Sequence, residues 1–160
     1  MEPGISTTDA RIQGFGQEMK ARYPNIKVLA TQYDNNSSAT AASQVTSDIA
    51  GHPDLSGVSA TNVLSAQGAA TGVQHAGKSG KVKVATFDAD PQQMAALKSN
   101  TIQLAIAQSP YLEGQDGVKR ALNAANGKAV TASIGTLLVV ITQANQNSAT
   151  AQAAVYKSSC

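Results

Sequence analysis

The sequence predicts a doubly wound α/β fold, a mainly parallel sheet with helices on both faces. Three observations carry that reading. Helix-like and strand-like segments alternate along the chain from about residue 8 to residue 125. The strand-like segments, such as Val82-Lys83-Val84-Ala85-Thr86-Phe87, have the short apolar character of strands buried in a parallel sheet. The breaks between segments fall at Pro, Gly and Asn, as in Tyr23-Pro24-Asn25 and Gly51-His52-Pro53.

Each element follows from its local pattern. A helix over about 8–22 is expected from the apolar spacing Ile12, Phe15, Met19, with Ser6, Thr7, Thr8 and Asp9 as N-cap candidates. Its Arg11 is electrostatically awkward, because the start of a helix prefers an acid. Pro24 ends the helix by disfavouring helical backbone in the residue before it. A strand is predicted over 27–32, a helix over 39–50, a strand over 57–61 and a helix over 64–76. After a turn at 77–80 come a strand over 81–87, a helix over 91–97, a strand over 102–107 and a helix over 111–125, which Gly127 stops. Residues 129–142 read as extended, and 143–160 as a polar, Ala-rich tail or short helix.

At 160 residues the chain is one domain in size, long enough for a true core. The longest apolar run, 137–141, is strand-sized, so no membrane insertion is expected. A net charge of +2, 14% charged residues and no basic run argue against a nucleic-acid partner. Met1-Glu2-Pro3-Gly4 has neither the basic nor the apolar region of a signal peptide. The single cysteine, Cys160, permits no disulfide within the chain and reads as an incidental thiol or a pairing partner for another segment. His52 and His75 have no ligating neighbour in sequence, so neither a metal nor a cofactor is expected.

In open α/β sheets ligands bind beyond the carboxyl ends of the strands. The residues that follow the predicted strands are Asp34, Asn35 and Asn36, then Asn62, then Asp88; Gln108 follows the fourth. Arg11 joins this rim if a strand precedes Gly4. Asn and Asp after strands also serve as turn and cap residues, and Asp90 is the better cap for the helix from Pro91, which frees Asp88. The set combines a guanidinium, a carboxylate and amides, groups that make paired hydrogen bonds but lack acid–base partners for catalysis. No enzyme activity is expected of it.

Four stretches, "EPGISTTDARIQGF", "GHPDLSGVSATN", "GKVKVATFDADPQQMAALKSNTIQLAIAQSPYLEG" and "ANGKAV", lie in the order and spacing of a known family. The chain resembles, from about residue 2 to residue 142, the C-terminal lobe of type I periplasmic sugar-binding proteins, the ribose- and galactose-binding receptors of ABC transporters. The most specific parts are Arg11, Gly14 and Phe15, the Phe87-Asp88 pair, and Ala107-Gln108 followed by Pro110-Tyr111 and Gly114. The resemblance implies a two-lobed receptor that closes on a sugar, with sugar contacts in this lobe at Arg11, Asn62, Asp88 and Gln108. A further ligand-wall position falls near Asn36, where some relatives carry phenylalanine; Val63 stands where many carry an acid. Asn36 offers a sugar face no stacking partner, so the ligand wall differs there, and Val63 points to a distinct ligand subgroup.

The same resemblance implies a permease partner and a periplasmic or extracytoplasmic location for the intact parent. It implies a central strand leading into Glu2-Pro3-Gly4 and a whole N-terminal lobe before it. Residues 1–142 are therefore expected to form one lobe lacking its first strand, followed by the 143–160 tail. The strand order 2-1-3-4-5 would then leave two unpaired edges, to be met by the rest of the receptor, by self-association with a second copy, or by residues 136–142. With half a cleft, weak binding is expected. The alternative reading is the effector-binding core of a LacI-type repressor, which shares the fold; no helix-turn-helix precedes the lobe in this sequence. A nucleotide site is not expected. Residues 72–79 match GxxxxGK[ST], but a helix runs in and a strand runs out, the reverse of a P-loop. Asn35 and Asn36 each open a glycosylation sequon, relevant only in a eukaryotic secretory setting.

Overall fold

The computed structural model describes residues 1–157; Cys160 lies outside the described residues. Strands β1 (Gly57–Ala60), β2 (Lys83–Phe87), β3 (Leu104–Ala107) and β4 (Val139–Ile141) form one sheet in the order β1-β2-β3-β4. The first three are parallel, and β4 runs antiparallel to β3, with Ile106 opposite Val140. The α/β class with a mainly parallel sheet is therefore the one expected.

Two sheet expectations are corrected. Residues 27–32 form no strand. A strand exists only through a ladder partner, and among the described residues none pairs with this segment; Ile26 and Val28 remain about half exposed. Residues 136–142 do not substitute for a strand beside β1. Their central part is β4, bonded to β3 at the opposite edge of the sheet.

The helices are α1 (Ser6–Arg22), α2 (Ser38–Gly51), α3 (Val63–His75), α4 (Pro91–Lys98), α5 (Pro110–Ala125) and α6 (Ala149–Ala154). Helix α1 begins two residues earlier than expected, on Ile5, whose side chain cannot cap; Thr8 instead donates its hydroxyl to the Ile5 carbonyl at 3.0 Å. Arg11 consequently lies in the second turn, away from the positive end of the helix. Ser37 caps α2 and Asn62 caps α3, each accepting a backbone N–H from the first turn. Asp90 opens α4 with a reciprocal capping box: its carboxylate accepts the Gln93 N–H, and the Gln93 side chain accepts the Asp90 N–H.

The core lies where α2, α3 and α4 meet the sheet. Val45 and Ile49 from α2, Val73 from α3, Val84 from β2, Leu97 from α4 and Ile141 from β4 belong to one buried cluster. Helix α6 adds Ala151 and Ala154 to it. Helix α5 buries none of its side chains, and its Tyr111 is 76% exposed. No helix among the described residues is long and apolar enough to cross a membrane. The GxxxxGK[ST] match lies where α3 ends, turns through Gly77 at φ 66° and leads into β2, so no helix N-terminus faces that loop.

Candidate functional site

The sheet register aligns the carboxyl ends of three parallel strands. Ala60 stands opposite Thr86, and Phe87 opposite Ile106, so the residues just beyond them share one rim. Those residues are Asn62, Asp88 and Gln108. The structure brings the five sequence candidates into two neighbouring groups with Arg11 between them.

The first group is amide with amide. Asn35 and Asn36 both adopt left-handed backbone, φ 50° and 56°, a region that asparagine tolerates better than most residues. This turn carries the Asn36 side chain to Asn62, whose Nδ2 donates to Asn36 Oδ1 at 2.8 Å. Asn62 also works as a cap, because its Oδ1 accepts the Ser65 N–H at 2.9 Å. One amide hydrogen of Asn62 is left for a ligand.

The second group centres on Asp88, which is 6% exposed and sits at φ 75°. Left-handed backbone at a residue other than glycine is uncommon, and it clusters at ligand sites. Asp88 does not cap α4, since Asp90 does. Its Oδ1 accepts from Gln108 Nε2 at 2.9 Å and from the Tyr156 hydroxyl at 2.5 Å. Gln93, buried at 1% exposure, donates its amide to the Phe87 carbonyl at 2.8 Å and so pins the strand end that aims Asp88.

Arg11 joins the two groups. Its guanidinium donates to the carbonyl of Thr61, next to Asn62, at 2.7 Å. It also stacks on the Phe87 ring, next to Asp88, at 3.4 Å from the centroid. Burial pulls the Arg11 guanidinium below its ordinary value, while the nearby Asp88 and Tyr156 oppose that shift. At any ordinary pH the group stays charged. Gly14, the family-pattern glycine three residues on, has open space around it, so no contact here requires a glycine.

Two residues at this rim escaped the sequence reading in part or whole. Asp34, at 4% exposure, is a structural staple: its carboxylate accepts from the Met1 ammonium, the Ser65 hydroxyl and the Asn36 N–H. Burial raises its pKa, but those donors outweigh burial and hold it below the usual carboxylate range. A depressed carboxyl contributes stability that is full above its unfolded value near pH 3.9 and is lost as pH falls through the lower folded value. Urea unfolding of Asp34→Asn should therefore show a loss of about 1–3 kcal/mol at neutral pH, and a smaller further loss at pH 3 than the parent suffers. Equal acid sensitivity in the two proteins would exclude Asp34 as a source of it. Tyr156 was missed entirely. Its signal is compositional: it is one of four tyrosines in an aromatic-poor chain, alone in a polar tail.

Among the described residues no group of His, Cys, Asp and Glu is arranged to hold a metal. Besides the staple Asp34, the rim contains the buried acceptor carboxylate of Asp88, one guanidinium and three amides, which suits a neutral ligand rich in hydroxyls.

Residues 2–129 match the family described as periplasmic binding protein domain. The ribose import binding protein of Bacillus subtilis is 28% identical over 88% of this chain and 45% of its own length. Its counterpart from Escherichia coli is 33% identical over 81% of this chain and 43% of its own length. The crystal structure of an ABC transporter solute-binding protein from Agrobacterium vitis, bound with α-D-tagatopyranose, superposes with a TM-score of 0.95 and 43% identity, covering 98% of this chain and 52% of that one. The chain thus spans about half the length of the relatives it matches.

Proposed function

We propose that this chain, which belongs to the periplasmic binding protein domain family, supplies one wall of a sugar site in a receptor of an ABC uptake system. The observation that carries the reading is the rim built from Arg11, Asp88 and Gln108, with Asn36 and Asn62 beside it. Asp88 accepts from the ligand through its open oxygen, Arg11 donates to a hydroxyl or ring oxygen, and Asn62 and Gln108 supply amide contacts. A neutral sugar gains nothing from net charge, so selectivity rests on geometry: an epimer that leaves a buried group unpaired loses about 1–3 kcal/mol.

The proposed contact set holds one carboxylate, Asp88, with amides and a guanidinium around it, a combination that supports recognition rather than catalysis. The relatives reported above are a ribose import protein in two bacteria and a tagatose-bound receptor, which favours uptake over the repressor-core alternative. On this reading the second wall of the cleft comes from an N-terminal lobe, and the closed receptor meets a permease and acts outside the cytoplasm.

The test is a heteronuclear NMR titration of the chain with pentoses, hexoses and polyols, each taken well above a millimolar dissociation constant. The expected result is that one sugar shifts the signals of Arg11, Asn62, Asp88 and Gln108 together. Silence of all four toward every sugar overturns the proposal.

A further inference from the structure

We infer that Tyr156 is a specificity-determining residue of the sugar site, setting how Asp88 meets its ligand. The inference rests on the sugar-binding reading above and deepens it.

The tail reaches the site by a defined route. Helix α6 packs through Ala151 and Ala154, and Ser148 caps it by accepting the Ala151 N–H. Val155 then turns the chain into extended backbone. Tyr156 is fastened at two points: its backbone N–H donates to the Ala89 carbonyl at 2.9 Å, and its hydroxyl donates to Asp88 Oδ1. Main chain and side chain thus grip the same two-residue segment that follows β2. A surface tail held only by packing would not need both bonds.

The consequence lies in the acceptor count. A free carboxylate offers two oxygens and can clasp two adjacent hydroxyls of a sugar. Here Oδ1 already receives Gln108 and Tyr156, and among the described residues nothing donates to Oδ2. Asp88 therefore meets its ligand through Oδ2 alone instead of across both oxygens. The phenol oxygen of Tyr156, its proton committed to Asp88, shares its acceptor side between the adjacent Gln108 and a neighbouring ligand hydroxyl. Carboxylate and phenol together form a two-atom ruler, and a sugar fits when adjacent hydroxyls point at Oδ2 and at the phenol oxygen. Burial and then Asp88 push the Tyr156 ionisation upward and outweigh the opposing Gln108 groups, so the phenol holds its proton, and with it this arrangement, throughout the neutral range.

The experiment compares the parent chain with Tyr156→Phe in NMR titrations against epimeric pairs of D-pentoses and D-hexoses, with circular dichroism as the check on folding. For the best ligand of the parent, Tyr156→Phe should weaken binding roughly tenfold and shrink the ratio between the paired epimers by a similar factor. A responsive parent whose epimer ratio is unchanged in the variant overturns the role of Tyr156 alone. A parent silent to every sugar overturns the binding function and this role with it. If the phenylalanine variant fails to fold, ring-labelled tyrosine in the parent carries the test: the Tyr156 ring signal moves on ligand addition, and an unmoved ring overturns the inference.

Discussion

Gly68→Ala destabilises the chain by at least about 2 kcal/mol, in spite of the ~1 kcal/mol that alanine gains over glycine in a helix. Helix α3 approaches α2 so closely that a Cβ at Gly68 would stand 2.4 Å from the Ser38 carbonyl and 2.5 Å from the Ala41 Cβ. One turn on, a Cβ at Gly72 would stand 2.7 Å from the Ala42 carbonyl. These obstacles are backbone and short side chains, which cannot swing aside, so the helices must separate. The cost reaches the site. Ser38 begins α2 directly after the Asn36 turn, and Asn62 caps α3, so spreading the helix starts pulls apart the 2.8 Å Asn36–Asn62 bond. Gly14→Ala in α1 is the control: with nothing within 4 Å of the added Cβ, it should be neutral or stabilising by up to about 1 kcal/mol. Urea denaturation of the three proteins checks both statements, and a Gly68→Ala midpoint equal to the parent's would refute the close-packing argument.

On the proposed function, Asp88→Asn weakens the sugar response while leaving the fold standing. Asparagine accepts left-handed backbone at least as well as aspartate, so φ 75° is kept. The loss is chemical: a charged acceptor becomes half donor, facing the Gln108 amide and the Tyr156 hydroxyl, both of which already donate to it. A hydrogen bond to a charged group contributes about 1.5–3 kcal/mol, so affinity for the best sugar should fall roughly 10- to 100-fold. Arg11→Ala should act in the same direction, through the lost Thr61 and Phe87 contacts as well as any ligand bond. Titration of each variant with the sugar that the parent binds best decides the matter. An unchanged dissociation constant in Asp88→Asn would take Asp88 out of the site.

How much of this was legible depends on the range over which each feature is determined. The capping box of α4 was readable because Asp90 and Gln93 lie three residues apart and satisfy one another. Helices α2, α3 and α5 carried their own stop signals in Pro, Gly and Asn. The start of α1 was misread because four good cap residues stand in a row, while the chain begins the helix at Ser6 behind an apolar Ile5. Residues 27–32 look like a strand and are not one, because pairing is a property of two segments and no partner ladder forms beside them. The 137–141 run was readable as strand-like, but neither its antiparallel sense nor its place beside β3 was written in it.

The candidate site divides in the same way. Asn62, Asp88 and Gln108 could be named from sequence because polar residues after successive parallel strands must share one rim, whereas Asn36 was reached through a strand over 27–32 that does not form and Arg11 through an expected strand before Gly4. That inference needs only element order. It could not reveal that Asn62 spends its carbonyl on a helix cap, that Arg11 rests on Phe87, or that Tyr156 returns to occupy an oxygen of Asp88. By itself, then, the sequence determined the alternation of elements, the α/β class and the residue types at the strand ends, since these follow from local pattern and chain order. The tertiary structure alone decided the sheet edges, the glycine-dependent approach of α2 to α3 and the commitments of each polar group. Those depend on which distant atoms meet, and a hydrogen-bonding group has only so many partners to give.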